Sequence, residues 1–190
     1  MPVELEAKVK VDSHEPTRQR LRDAGAEAHG SHLQINTFFD TDDRSLRAAD
    51  KGLRIRVNRD VVTGREEAVL TYKGPRQPGA FKSREEVETT VGSAESLAAI
   101  VQALGYRQVL SFEKKRESWA LDGCQVELDE VPHLGCYVEV EGPSEEAIRA
   151  VQKKLGLDTA PYIRESYAGL LSTWLENRGS RERIVIFPKA

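Results

Sequence analysis

The first predicted strand of this chain alternates charged and apolar residues without a break. In Val3–Val11, glutamate or lysine occupies every second position and the residues between them are apolar. Successive side chains of a strand point to opposite faces, so Glu4, Glu6, Lys8 and Lys10 share one face. A face that lines up carboxylates and amines constrains the fold, because such charges need water, counter-charges or a ligand.

The same alternation returns in six further segments of the chain. For any single strand, an antiparallel sheet with one solvated face would give this pattern. Solvated faces usually also carry Ser, Thr, Asn and Gln, whereas these segments carry mostly charges of both signs. The repetition therefore indicates a charged interior. The repeating positions are Arg54, Arg56, Lys73, Lys82, Arg84, Glu86, Glu88, Lys114, Arg116, Glu127, Asp129, Glu139 and Glu141.

Composition limits the classes of function. The chain has 190 residues and a net charge of −3, which gives no overall attraction for nucleic acid or anionic membranes. No apolar segment approaches the length of a membrane span, and we expect no signal peptide. Two cysteines do not make a disulfide framework, and we expect a cytoplasmic protein with reduced, buried thiols. If residues 123–130 and 134–142 pair as a hairpin centred near Glu130, Cys124 and Cys136 would lie roughly opposite each other.

Strand and helix patterns predict the fold class. Strands are predicted at 3–11, 34–41, 52–60, 66–74, 80–91, 107–119, 123–130 and 135–142. Helices are predicted at 14–25, 93–104, 144–155 and 162–177. Hairpin-length links favour an antiparallel meander, and eight strands can close into a barrel. Inward charges leave an apolar outer wall for amphipathic helices to cover. We therefore predict an α+β fold, an eight-stranded antiparallel β-barrel around a charged tunnel, flanked by helices.

A charged tunnel of this kind suits a compact polyanion. Basic residues from several strands would converge on one volume, and arginine and lysine both bind phosphate oxygens. Carboxylates repel phosphate, so a cation is expected between them. Mg²⁺ or Mn²⁺ suits this place, because hard cations bind carboxylate and phosphate oxygens together. In an up-and-down barrel the first and last strands are neighbours. Closure would then build a four-carboxylate metal site from Glu4, Glu6, Glu139 and Glu141.

Short charged motifs follow one another in a fixed order along the chain. They are Glu4-x-Glu6-x-Lys8, His32–Thr41, Leu53–Arg56, Thr71–Pro75, Arg84–Glu88, Lys114–Arg116, Val126–Asp129, Val138–Gly142 and Arg164–Tyr167. This ordered set resembles the CYTH superfamily of triphosphate tunnel metalloenzymes, whose members include inorganic triphosphatases, thiamine triphosphatases and class IV adenylyl cyclases. The resemblance implies a triphosphate tunnel domain in residues 1–178 that depends on Mg²⁺ or Mn²⁺. It leaves residues 179–190 as a C-terminal tail.

The resemblance and the shared face together assign roles to the inward residues. The four carboxylates named above would hold metal, Glu127 or Asp129 would assist or orient a water, and Lys8 would act in catalysis and in binding. Arg164 resembles a basic residue that the family supplies from its C-terminal helix as a lid. Glu86 and Glu88 are either ligands or partners of arginines. The predicted triphosphate-binding set is Lys8, Arg54, Arg56, Lys73, Arg84, Lys114, Arg116 and Arg164.

These roles predict an enzyme that hydrolyses a small triphosphate with the help of a divalent metal. The expected substrate is inorganic tripolyphosphate, thiamine triphosphate or ATP. Two alternatives stay open: a class IV-type adenylyl cyclase that makes cyclic AMP and pyrophosphate from ATP, and a non-catalytic polyphosphate-binding module. The aromatic residues are too dispersed to predict stacked bases, which favours hydrolysis. We expect a monomer or homodimer without nucleic-acid or membrane partners. Asp40 and Tyr167 are interpreted as structural.

Overall fold

The computed structural model describes residues 3–78 and 81–188, with Val3 and Glu4 described by their backbone alone, and it contains nine strands and five helices in these residues. The strands are β1 Val3–Val11, β2 Glu27–Asp40, β3 Gly52–Asp60, β4 Glu66–Arg76, β5 Lys82–Val91, β6 Arg107–Leu121, β7 Cys124–Val131, β8 Gly135–Glu141 and β9 Ile184–Val185. The helices are α1 Glu15–Asp23, α2 Ser45–Ala48, α3 Ala94–Ala103, α4 Glu145–Lys154 and α5 Tyr167–Asn177.

The sheet closes on itself through the pairing of β2 with β6. The strand order is β2-β3-β4-β5-β1-β8-β7-β6, and the additional β2–β6 pairing joins its two ends. Every pairing among these eight strands is antiparallel. The predicted α+β fold, an eight-stranded antiparallel barrel with flanking helices, is confirmed. The tail adds β9, which pairs in parallel with Ser111 and Phe112 of β6. These two residues precede the part of β6 that pairs with β7.

The strand order departs from that of a simple meander, because β6 pairs with β2 instead of β5 and β1 is displaced. β1 lies between β5 and β8 instead of beside β2, and α1 carries the chain from β1 to β2. Strand alternation predicts which face a residue occupies but not which strands pair. The prediction that the first and last strands of the barrel are neighbours is nevertheless confirmed. Glu6 pairs with Glu141, and Lys8 pairs with Glu139.

The apolar face of the strands points outward and is covered by helices. Val9, Val126, Val138 and Val140 have no exposed surface and pack in one cluster with residues of α1 and α4, including Ile148. Burial of each such side chain contributes about 1.5–3 kcal/mol, so this outer wall supplies much of the stability. In the described parts of the chain, none of the helices has the length and apolar character required to cross a membrane.

Two elements begin several residues away from the sequence predictions, and one short helix was not predicted. β2 begins at Glu27 instead of 34, because it continues along β6 past an irregularity at Gly30, whose φ of 101° favours glycine. α5 begins at Tyr167 instead of 162, because Tyr162 bridges to β1 and Ser166 caps the helix. α2 was not predicted, since four residues are too few for a helical pattern.

The two cysteines lie at opposite ends of the β7–β8 hairpin. Cys124 begins β7, whereas Cys136 pairs with Glu130 near its other end. Six residues of strand span about 20 Å, and a disulfide needs Cα atoms within about 7 Å of each other. The expectation that the cysteines lie opposite each other is therefore wrong. The turn falls after Val131 instead of at Glu130, which moves the register.

The outer wall generates a stability prediction. Ile148→Ala should lower the free energy of unfolding by about 2–5 kcal/mol, because this side chain is fully buried and leaves a cavity. Ile100→Ala is the matched control on α3, since Ile100 is 57% exposed, and it should change the free energy by less than about 0.5 kcal/mol. Urea unfolding measures both. Equal losses in the two variants would contradict the wall as described.

Candidate functional site

A cavity of about 700 Å³ lies inside the barrel, and charged side chains form most of its wall. All eight strands of the barrel contribute, as does the segment that leads into α5. The structure brings together all eight predicted triphosphate-binding residues and three of the four predicted metal ligands. The side chain of Glu4 lies outside the described residues. The predicted residues that line the cavity are Lys8, Arg54, Arg56, Lys73, Arg84, Lys114, Arg116, Arg164, Glu6, Glu127, Glu139 and Glu141.

Asp129 is the buried counter-charge of this basic cage. Its carboxylate accepts hydrogen bonds from Lys114 at 3.0 Å and from Arg116 at 2.7 and 2.6 Å. The hydroxyl of Tyr167 donates another at 3.0 Å. Asp129 is fully buried and does not line the cavity, whereas the sequence predicted that it or Glu127 would assist or orient a water. Of the two acids predicted for that task, Glu127 is the one that lines the cavity.

Tyr167 lies inside the cage, although its sequence position suggested only a structural role. Its ring is 4.1 Å from the Lys8 ammonium, which also donates to the carbonyl of Glu165 at 3.0 Å. Burial and the nearby charge of Asp129 raise the pKa of Tyr167 well above its ordinary value, so it stays protonated and donates. The first residue of α5 is therefore tied to the cage.

Several interior cations are held in surroundings that oppose their charge. Burial, followed by the charges of Arg54 and Arg116, lowers the pKa of Arg56 to about 9. Burial and the charge of Arg116 lower the pKa of Lys114 to about 7. The Nε of Arg56 donates to Asn36 at 2.9 Å, and no described carboxylate lies within ion-pair distance of its guanidinium. This excess of positive charge favours an anionic ligand.

The acids cluster on β1, β7 and β8. Glu6 lies opposite Glu141, and Glu127 lies opposite Glu139. Burial, followed by the charges of Glu6 and Glu127, raises the pKa of Glu141. Burial by itself would raise the pKa of Glu139. The positive charges of Lys8 and its basic neighbours outweigh burial and hold this pKa well below the ordinary value. As placed, the described residues contain no group of three or more His, Cys, Asp or Glu arranged to hold a metal ion.

Acidic partners balance the cations of β3, β4 and β5. Glu88 accepts hydrogen bonds from Arg54 at 3.0 Å and from Thr71 at 2.6 Å, and Glu86 pairs with Lys73. Both acids that were left undecided are thus partners of cations. The structure also adds Lys82, whose ammonium donates to Glu6 at 2.7 Å. Its inward position was visible in the alternation of β5.

Asp40 holds the short helix α2 against the rim of the cavity. Its carboxylate accepts hydrogen bonds from the backbone of Leu46 at 2.9 Å and of Arg47 at 3.1 Å. This contact supports the structural role expected for Asp40, and it brings Arg44 and Arg47 to the cavity edge. Arg164 lies at the same rim, where its guanidinium is 3.5 Å from the carbonyl of Gln77.

One part of the cavity wall is apolar. The rings of Phe38 and Phe112 stack with centroids 5.9 Å apart and planes 10° from parallel, and Leu110 and Leu175 line the cavity with them. The sequence did not predict this pair, because its two residues lie far apart along the chain. β2 and β6 bring them together, and strand order was not predictable from the alternation.

Comparison with known proteins decides the family. The CYTH domain model matches residues 2–167. The chain belongs to the CYTH family. Members of this family are adenylyl cyclases or triphosphatases that act on small triphosphates such as ATP, and their tunnels generally use divalent metal ions. α5, apart from its first residue, and the tail that forms β9 lie beyond the matched residues.

Similar proteins match the CYTH chain over nearly its whole length. A Methanocaldococcus jannaschii protein, provisionally named an adenylate cyclase, is 28% identical over 177 residues, which cover 88% of this chain and 98% of the relative. The PH1819 protein of Pyrococcus horikoshii has a TM-score of 0.77 at 27% identity. The match covers 90% of this chain and 99% of the PH1819 chain. A Hippeastrum protein described with a dominant triphosphatase activity has a TM-score of 0.61 at 20% identity. The match covers 96% of this chain and 98% of the Hippeastrum chain, and it shows that the two share a fold.

The depressed pKa of Lys114 generates a proton-linkage prediction. At pH 8 its amine is mostly neutral in the free protein, because its pKa is about 7. A polyanion in the cage favours the charged form and raises that pKa, so binding of tripolyphosphate should take up protons and weaken as pH rises above 7. Calorimetric titration without metal, in two buffers of different ionisation enthalpy, measures the uptake.

Two variants test whether Lys114 is the group that takes up these protons. Lys114→Met should reduce it, because the titrating group is gone. Lys115→Met is the matched control, since Lys115 is exposed on the outer face and pairs with Glu130, and it should leave the uptake unchanged. If Lys114→Met takes up as many protons as the wild type, Lys114 is not the linked group.

Proposed function

We propose that this CYTH tunnel hydrolyses the terminal phosphate of a triphosphate. The observation that carries the proposal is the convergence of cations from β1, β3, β4, β5 and β6 on one cavity, among them the half-buried Arg56 without a carboxylate partner among the described residues. A chain of phosphates presents many oxygens in a small volume. Guanidinium forks bind those oxygens in pairs, and lysines act as point charges. The surrounding acids position the cations until the ligand arrives.

The proposed metal is Mg²⁺ or Mn²⁺, held by Glu6, Glu139 and Glu141 together with Glu4. Carboxylate oxygens are the ligands that these hard cations prefer. Two observations support the fit: Glu6 Oε1 is buried without a hydrogen-bond partner, and burial with the negative charge of Glu6 raises the pKa of Glu141, which a bound cation would oppose. A bound divalent cation would neutralise charge on the phosphate oxygens and on the acids themselves.

The chain's own residues then carry the transfer. Water attacks the terminal phosphorus, the bond to the bridging oxygen breaks with its electron pair kept on that oxygen, and orthophosphate and the remaining diphosphate part are released. Glu127 is proposed to orient the water and accept its proton, since its carboxylate faces the cavity and is fixed by the Ser118 hydroxyl at 2.6 Å. Lys8 and Arg116 stabilise the charge that spreads over the phosphate oxygens in the transition state. Asp129 is proposed to act on catalysis by holding Arg116 in place.

A second candidate function follows from the apolar wall. Phe38 and Phe112 offer a flat surface to an organic group attached to the phosphates. A class IV-type cyclase must hold the ribose so that its 3′-hydroxyl attacks the α-phosphate, which requires contacts outside the phosphate cage. The cavity volume of about 700 Å³ also suits a ligand of drug size. A non-catalytic polyphosphate receptor is less favoured, because such a receptor gains nothing from inward carboxylates.

Product analysis separates these candidates. The protein is incubated with tripolyphosphate, thiamine triphosphate or ATP, each with Mg²⁺ or Mn²⁺. We expect orthophosphate from at least one of them and little cyclic AMP from ATP. Cyclic AMP and pyrophosphate from ATP, with tripolyphosphate left intact, would overturn hydrolysis in favour of cyclisation. Binding of all three without any product would favour the receptor.

Glu141 provides a test of the metal site that does not break an ion pair. No described cation lies within ion-pair distance of it, and its raised pKa shows that its negative charge is disfavoured in the folded protein. Glu141→Gln should therefore leave the free protein at least as stable, while Mn²⁺ affinity and activity fall by about 100-fold or more. Calorimetry with Mn²⁺, thermal unfolding and phosphate release measure the three effects.

The control for this variant is Glu130→Gln. Glu130 pairs with Lys115 on the outer face of β7 and β6, away from the cavity. It should change neither Mn²⁺ affinity nor activity. A Glu141→Gln protein with wild-type Mn²⁺ affinity would remove Glu141 from the proposed metal ligands.

A further inference from the structure

The carboxylate of Asp50 is bound as a ligand would be. Asp50 lies in the turn after α2, at the edge of the cavity. Its oxygens accept hydrogen bonds from the backbone N–H of Arg76 at 2.8 Å and from the Nε of Arg76 at 3.0 and 3.1 Å. The guanidinium of Arg84 donates to it at 3.3 Å. One backbone donor and two guanidinium groups around an oxyanion form a set that recurs in phosphate sites.

The two arginines face the same cavity as the proposed phosphate cage. Arg84 is only 8% exposed, and its Nε has no hydrogen-bond partner among the described residues, so the side chain keeps a donor to offer. Arg76 was not predicted as a site residue, because its position in β4 follows the Gly74-Pro75 step, where the register with β5 shifts. The shift brings Arg76 opposite Arg84.

Asp50 itself is held in a way that allows it to leave. Its side chain is 40% exposed, and its φ of 52° is left-handed, a region that aspartate tolerates better than most residues. Partial burial disfavours its charge, but the hydrogen bonds and charges of Arg76 and Arg84 outweigh burial and lower the pKa of Asp50. It is therefore an anion at neutral pH, exchangeable with water or with another anion.

We propose that Arg76 and Arg84 form a phosphate subsite at the rim of the tunnel, and that Asp50 fills this subsite in the free protein as an internal anion. The subsite deepens the proposed function and rests on it, since its ligand is an end phosphate of the triphosphate chain. A terminal phosphate brings more charge and more oxygens than a carboxylate, so it displaces Asp50. Because the subsite is free only part of the time, Asp50 weakens binding of every ligand that uses it.

The test is tripolyphosphate affinity without metal, measured by calorimetry in the presence of EDTA so that no turnover occurs. Asp50→Asn should bind tripolyphosphate about tenfold more tightly than the wild type, because the amide does not compete as an anion. Asparagine also tolerates the left-handed backbone. Asp50→Gly is the second variant, since glycine adopts this φ freely and also removes the carboxylate.

Asp122→Asn is the matched control. Asp122 has a φ of 51° and pairs with Lys154 at 2.6 Å in the turn between β6 and β7, and it does not line the cavity. It should leave the affinity unchanged. In a background of Arg76→Met, which should itself weaken binding, the gain from Asp50→Asn should shrink or disappear, because the two residues act on one subsite.

The outcomes separate the subsite from the wider function. If wild-type protein binds tripolyphosphate while Asp50→Asn and Asp50→Gly both bind it equally or more weakly, the internal-anion proposal is wrong and the triphosphate tunnel stands. If the wild type binds no tripolyphosphate without metal, the subsite proposal is wrong, and the product analysis with Mg²⁺ or Mn²⁺ decides the proposed function separately. A gain in Asp122→Asn equal to that in Asp50→Asn would show a general charge effect and would also overturn the subsite.

Discussion

The buried carboxylate of Asp129 joins three parts of this protein that would otherwise repel or separate. It holds two like-charged cations, Lys114 and Arg116, side by side in the cavity wall. It also accepts a hydrogen bond from the hydroxyl of Tyr167, the first residue of α5. Removal of one partner from such a buried network costs about 3–5 kcal/mol, because the other charges are left uncompensated. The shape of the cage and the docking of the last long helix therefore depend on the same group.

The polarity of the barrel separates stability from function. Apolar side chains such as Val126 and Val138 point outward, where α1 and α4 bury them, and the inward face is left to charges. The interior can then hold cations whose pKa values are depressed, including Arg56 and Lys114, without loss of the fold. An apolar-cored barrel has no such freedom, since its interior supplies its stability. The inside of this tunnel is consequently arranged for a ligand.

Alternation along the strands predicted the inward residues well, because a two-residue period fixes the face of each side chain. It placed Lys8, Arg56 and Glu127 on one surface before any strand order was known. It did not predict the insertion of β1 between β5 and β8 or the meeting of Phe38 with Phe112, since both depend on which strands pair. Contacts between loops and strands, such as Asp50 with its arginines, have no periodic signal at all.

The central claim is that the interior charge imbalance serves anion binding, and Arg56→Met tests it most directly. In the free protein, Arg56 is half-buried near other cations, so its loss should leave the free energy of unfolding equal or higher. Tripolyphosphate should raise the melting temperature of the wild type by mass action, and the variant should lose most of that rise. The opposite result, a clearly destabilised variant that keeps the full rise, would mean that Arg56 serves the fold and that the tunnel is not the anion site.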